Sequence, residues 1–215
     1  MTYDTEPPAE PPAPRPPPPP DPGPAEARAI AALFAVAARD GWARTSMAAI
    51  SAESGLTLAE LREKFPCREA ILDRFARQTD QAVLAGTMPL ADGETIKDRL
   101  FDMLMRRLDA FQPRRAGVLA VADGLRRDPA GALARLPVAL NSMLWMLDGA
   151  GVRAHGLGRL LRAKALLAVA IHAFRAWADD ESQDMAKTMA ALDRALSRAE
   201  QVESWCSRLP GRGTA

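Results

Sequence analysis

The residues of this chain best suited to chemistry are gathered in one place: Arg44, Thr45, Thr57, Arg62, Lys64 and Arg68 fall within twenty-five positions, with Leu58 and Leu61 between them. Guanidinium forks, an ammonium and hydroxyls at this density donate hydrogen bonds to anionic oxygens and polar edges. None of them makes or breaks a covalent bond without a base or a metal beside it. The chain has no Ser-His-Asp or Cys-His arrangement, no glycine-rich phosphate loop and no metal-ligand spacing, so neither catalysis nor a cofactor is expected. Cys67 and Cys206 stand too far apart in sequence to suggest a disulfide framework or a zinc site. Thr45, Thr57 and Glu60 also suit helix capping, and Arg68 also suits an ion pair with Asp73 or another surface acid.

A second set is apolar. Leu100, Met103, Leu104 and Leu108, then Met143, Met146 and Leu147, together with Phe174 and Trp177, form a methionine-rich group at helical spacing. Methionine adapts to irregular surfaces, and with few polar groups nearby such a group would take a long apolar molecule rather than a sugar or nucleotide. The same residue types fill ordinary cores. The lone His172 in its apolar segment is expected to be a core residue.

The elements that must hold these sets follow from pattern. The 215-residue chain is 48% apolar and 26% charged, enough to bury a core in one or two domains. Its net charge is +1, and residues 25–85 carry eight Arg or Lys against eight Asp or Glu. Global attraction to a polyanion or an anionic membrane is therefore excluded, and any such contact must be local. Ala165 to Phe174 is the longest apolar stretch, interrupted by His172 and too short to span a bilayer. With no signal-peptide pattern visible, a cytoplasmic location is expected.

Residues 1–24 hold twelve of the eighteen prolines and predict a disordered tail. From Ala25 the fold class is all-α, since no segment alternates with period two. Ile30, Leu33, Phe34, Ala37 and Ala38 mark one buried helix face, stopped at Asp40-Gly41. A short helix over 46–53 ends near Gly55; the next, 57–65, opens on a Thr57/Glu60 capping box and stops at Pro66. Further helices are expected over 67–84, 94–111, 114–127, 130–149, 157–178 and 183–205, with breaks at Met88-Pro89 to Gly93, Pro113, Pro129 and Gly149 to Gly158. The domains expected are thus 25–85 and 86–205, followed by a flexible tail at 206–215. Two short helices joined at Gly55 form a helix-turn-helix, the shape that sets a helix into a DNA major groove.

From Gly55 to Leu72 the chain aligns without a gap to the run GVSKGTLYHYFPSKEALL, and so resembles the TetR family of transcriptional regulators. Gly41-Trp42 and Thr45-Ser46-Met47 match that family too, while Arg62, Glu63 and Lys64 stand where it has tyrosine and other aromatic residues. The resemblance implies a homodimer that binds double-stranded DNA through the Arg44–Arg68 set, and a hydrophobic ligand held in the C-terminal helices. It also implies dimerisation through residues 157–178 and the last helix.

A second likeness lies at Trp177 to Asp184, with Thr188, Ala190 and Leu192-Asp193-Arg194. It resembles the C-terminal signature of the lipid-binding accessory proteins of ubiquinone biosynthesis, which share the fold. That alternative implies an isoprenoid lipid and a peripheral membrane contact without DNA binding. Read physically, Ser182 caps the last helix and the neighbouring acids favour its positive end.

Overall fold

The computed structural model describes residues 23–87, 93–182 and 184–208, with side chains as far as residue 201. The expectations for the proline-rich tail, the break at 88–92, and Trp205, Cys206 and Leu209 lie outside the described residues or side chains.

Ten α-helices and no strand occur among the described residues. The first, α1 (Pro24–Asp40), begins on proline, whose missing N–H costs nothing at that position. It buries Ile30, Leu33, Phe34 and Ala37 as expected; Val36 is buried and Ala38 is exposed. Gly41, at φ 81°, ends it and leads into a 3₁₀ turn, Trp42–Arg44, that buries Trp42. Next, α2 (Met47–Ser54) starts where the Ser46 hydroxyl accepts from the Ala49 N–H at 3.1 Å, and it ends at Gly55 in the left-handed region, φ 67°. The turn is held by the Ser51 hydroxyl donating to the Leu56 carbonyl at 2.6 Å.

The capping box opens α3 (Leu58–Lys64): Glu60 accepts from the Thr57 N–H at 2.7 Å, while Thr57 Oγ1 accepts from the Glu60 N–H at 3.2 Å. Such caps contribute about 0.5–2 kcal/mol. Beyond Phe65-Pro66 runs α4 (Arg68–Ala85). Ile30, Leu33, Ile50, Leu61, Phe65 and Ile71 gather these four helices into one core.

The rest comprises α5 (Ile96–Asp109), α6 (Arg115–Arg127), α7 (Pro129–Ala134), α8 (Leu136–Gly149), α9 (Gly156–Ala178) and α10 (Ala186–Arg208). A second core holds Met103, Leu104, Met143, Met146, Leu166, Trp177 and Leu192. The second helix of this group, α6, lies against α1 and lends Val121 to the first core. That approach requires glycine: a Cβ on Gly117 would lie 2.4 Å from the Phe34 carbonyl oxygen, and one on Gly124 would lie 2.4 Å from Trp42 Cβ.

Three expectations are corrected. The single helix over 130–149 is two, because Pro137 has no N–H to continue the ladder of α7 and sits instead in the first turn of α8. By length and composition Pro129–Gly149 is apolar enough to cross a membrane, yet here it is split at Arg135, and α8 packs on α4 and α9. Secondly, α10 begins at Ala186 rather than 183, and Ser182 is not its cap. Thirdly, His172 is exposed on α9.

Candidate nucleic-acid interface and internal cavity

Within α3, Leu61 is the buried residue and the others are exposed. At about 100° per residue, Ala59 and Glu63 lie about 160° from Leu61, on the outermost strip. Arg62 and Lys64 flank it on opposite sides. Leu58 is 53% exposed. Arg62 donates to the Pro66 carbonyl at 3.1 Å, which folds its guanidinium over the end of the helix. The Thr57 N–H and then its hydroxyl donate to Glu60, and these hydrogen bonds hold the Glu60 carboxyl below its ordinary range. Glu60 is thus occupied as a cap, and Glu63 is the free acid of the exposed face.

Three members of the expected contact set serve the support instead. Leu61 is fully buried in the core beneath α3. Thr45 is also fully buried, its hydroxyl donating to the Gly41 carbonyl at 3.0 Å. Arg68 is half-buried, stacks 4.2 Å from the Trp42 ring centre, and donates to the carbonyls of Trp42 at 2.7 Å and Thr45 at 2.6 Å. Its ion pair is with Glu69, at 2.9 Å, not with Asp73. Neither Leu61 nor Thr45 can reach a phosphate without unfolding, and Arg68 is a clamp that fixes the 3₁₀ turn to α4. Arg44 remains exposed, its Nε bonded to the Asp40 carbonyl at 2.9 Å.

Two cavities lie behind this unit. One, of about 190 Å³, sits between α5, α8 and α9 and is lined by Leu104, Leu108, Met143 and Phe174 from the expected apolar set. The other expected members, Leu100, Met103, Met146, Leu147 and Trp177, belong to the second core and do not line it. The second cavity, of about 270 Å³, was not foreseen; it opens between α1, α4, α6 and α8, against the helix-turn-helix unit. Both are bounded by Arg107, Phe111, Ala139 and Phe174.

Polar groups in this region come as pairs. Asp80 on α4 is ion-paired with Arg107 on α5 and accepts from the Ser142 hydroxyl on α8. Burial pushes the Arg107 pKa down to about 10, which leaves it charged at neutral pH. Asp73, seven residues before Asp80 on α4, is ion-paired with Arg135 at the α7–α8 break. An aromatic row crosses the same ground: Phe34 to Phe75 at 4.7 Å, Phe75 to Phe111 at 5.8 Å, and Phe111 to Trp177 at 6.1 Å between ring centres. The signal for Arg107 was present, as a cation between Leu104 and Leu108 on an apolar stripe.

The C-terminal signature is a helix junction. Asp180, buried, accepts from the Ser182 hydroxyl and N–H and from the Thr188 hydroxyl and N–H, the latter at 2.9 Å. Arg115 stacks on Trp177 and donates to the Trp177 and Ala178 carbonyls at the end of α9. The Ser182 and Thr188 bonds hold the Asp180 carboxyl far below its ordinary value. A lowered folded pKa contributes stability that is complete above about pH 4 and is lost as pH falls through the folded value. Asp180→Asn is therefore expected to lower Tm at neutral pH and to flatten the decline of Tm below pH 4, read by circular dichroism across pH 2–7. An unchanged acid slope would show that this carboxylate is not linked to folding.

No protein-family model matches the chain, and no curated protein matches it in sequence. Among solved structures it is similar to a TetR transcriptional regulator from Nitrosomonas europaea ATCC 19718, with TM-score 0.66 and 19% identity over 83% of this chain and 99% of that one. It is also similar to a TetR transcriptional regulator from Rhodococcus sp. RHA1, with TM-score 0.57 and 18% identity over 82% of this chain and 95% of that one. At these identities the likeness is one of fold: the chain has the all-α TetR architecture.

Proposed function

We propose that this chain is a TetR-like, DNA-binding transcriptional regulator of the cytoplasm, acting as a homodimer whose grip on DNA is set by a hydrophobic ligand. The observation that carries the reading is α3 itself: seven residues, exposed on every side except at Leu61, on a base fixed by the capping box and the Arg68 clamp. A helix left so bare yet so firmly supported suits insertion into a major groove. Arg44, Thr57, Leu58, Arg62 and Lys64 are the contacts proposed, the cations for phosphate. Glu63, at the tip, would accept from a cytosine amino group.

Two copies joined through α9 and α10 would set two such helices one DNA turn apart. Leu157, Leu161, Ala165, Ala168 and Ile171 form an exposed stripe along α9, and Leu157 is 73% and Leu161 56% exposed. Met189 on α10, the helix that packs on α9, is 36% exposed. An apolar stripe of this length calls for a partner. Leu161→Glu is expected to convert the dimer to monomer in light scattering and to weaken DNA binding by at least about tenfold, since a dimer reads two half-sites. A variant that stays dimeric would move the interface elsewhere.

In the proposed mechanism a ligand in the cavities biases one of two arrangements of α4 and α6, and with them the spacing of the two α3 helices. Selection of bound fragments from a genomic DNA library, at two salt concentrations, tests the reading. Recovery of a common sequence whose retention falls with salt supports it, and retention of no fragment overturns it.

A second reading, a lipid-binding accessory protein of the same fold, is favoured by one observation: the exposed face of α3 is neutral, with Glu60 and Glu63 against Arg62 and Lys64. Native mass spectrometry separates the two. A co-purifying isoprenoid lipid with no DNA binding supports the second.

A further inference from the structure

We infer that the cavities take an apolar monocarboxylate whose headgroup is received by Arg107. For its regulatory consequence the inference rests on the ligand-controlled reading above; the binding itself does not depend on DNA.

Among the described residues, Arg107 is the one charged side chain lining the smaller cavity and is shared with the larger, where the other charged lining residue is Arg135. The formal charge on the walls is therefore positive only. The carboxylates that balance it, Asp80 and Asp73, do not line either cavity; both stand on α4 and hold the arginines from outside. A guanidinium offers five N–H donors, and Asp80 engages Nη1. A carboxylate entering between Leu104 and Phe174 would meet donors of the same fork, and its chain would lie along apolar walls.

The alternatives fit worse. A cationic ligand would meet the guanidinium first, since both carboxylates stand behind the arginines, and a neutral apolar ligand would gain nothing from it. A strongly polar one would find few further partners on walls of Leu, Met, Ala and Phe. The two cavities, about 190 and 270 Å³, fall together within the range of small-molecule pockets, roughly 300–1,000 Å³. Phe111 lines both, so a chain filling both must pass that ring.

The regulatory consequence follows from where Asp80 sits. A second carboxylate at Arg107 shares the guanidinium with Asp80, weakens that pair and leaves one negative charge in excess beside the Ser142 hydroxyl. The buried charge then lies on α4, the helix that leads out of the helix-turn-helix unit, and α4 shifts to rehydrate it.

The probes are cis-parinaric acid and its methyl ester, which differ in the headgroup and report binding by fluorescence. The full chain is expected to bind the acid at least about tenfold more tightly than the ester, as for a charge-assisted contact made in a desolvated site. In the double variant Asp80→Asn/Arg107→Gln, which removes both charges together and so strands neither, the acid-to-ester preference falls to within about twofold of unity. A matching thermal melt and a measurable ester affinity show that the variant is folded. Equal binding of acid and ester by the wild type, binding of neither, or a preference that survives the double variant would overturn the inference. Acid preference without any DNA binding would support this site while removing the regulator reading.

Discussion

Replacing Asp80 by alanine lowers the unfolding free energy by about 3–5 kcal/mol, the cost of breaking a buried ion pair from one side. Asp80 is 6% exposed, and its partner Arg107 keeps its charge in a site that it shares with leucine, phenylalanine and methionine. The variant also deprives the Ser142 hydroxyl of its acceptor. Most of the loss comes from the charge left behind, not from the pair's own net value. The double variant Asp80→Asn/Arg107→Gln should accordingly return to within about 1 kcal/mol of wild type. Urea denaturation of Asp80→Asn, Arg107→Gln and the double closes the cycle. Additive losses would show that the two side chains do not act as a pair.

Phe111→Ala is expected to cost about 2–4 kcal/mol, below the usual range for a fully buried phenylalanine because this ring is only partly buried. The position matters more than the amount. Phe111 packs against both cores and bounds both cavities, and its ring links Phe75 on α4 to Phe174 and Trp177 on α9. Removing it joins the two spaces. Uptake of an uncharged dye such as Nile red should therefore rise while the denaturation midpoint falls. A variant that loses stability without gaining dye would mean that neighbouring side chains collapse into the gap.

Much of the architecture around α3 could be read from the chain because its determinants are local. Thr57 and Glu60 cap each other within one turn, Gly55 supplies a left-handed residue, and Pro66 ends the helix. Once Leu61 is known to face inward, the 3.6-residue period alone turns Glu63 outward. Pro137 was an equally local signal, and it divides α7 from α8.

What was not legible depends on contacts between distant segments. A methionine-rich stripe looks the same whether it lines a cavity, as Met143 does, or closes a core, as Met103 and Met146 do. Thr45 and Arg68 have residue types suited to phosphate, and the choice of backbone carbonyls as their partners was made by the packing of the 3₁₀ turn on α4. Asp80 and Arg107 belong to separate helices, and nothing in either segment announces the other. His172 sits in an apolar run whose inner side is Ala173 and Val169, so it faces outward.

The comparison that bears most directly on DNA recognition is the salt dependence of affinity for a selected genomic fragment, wild type against Arg62→Ala/Lys64→Ala. If α3 lies in the groove with these two cations on phosphates, the plot of log K against log salt should be shallower in the variant by roughly two to four units for a dimer, at about 0.9 per contact. Identical slopes, or no salt-sensitive binding by the wild type, would contradict the account.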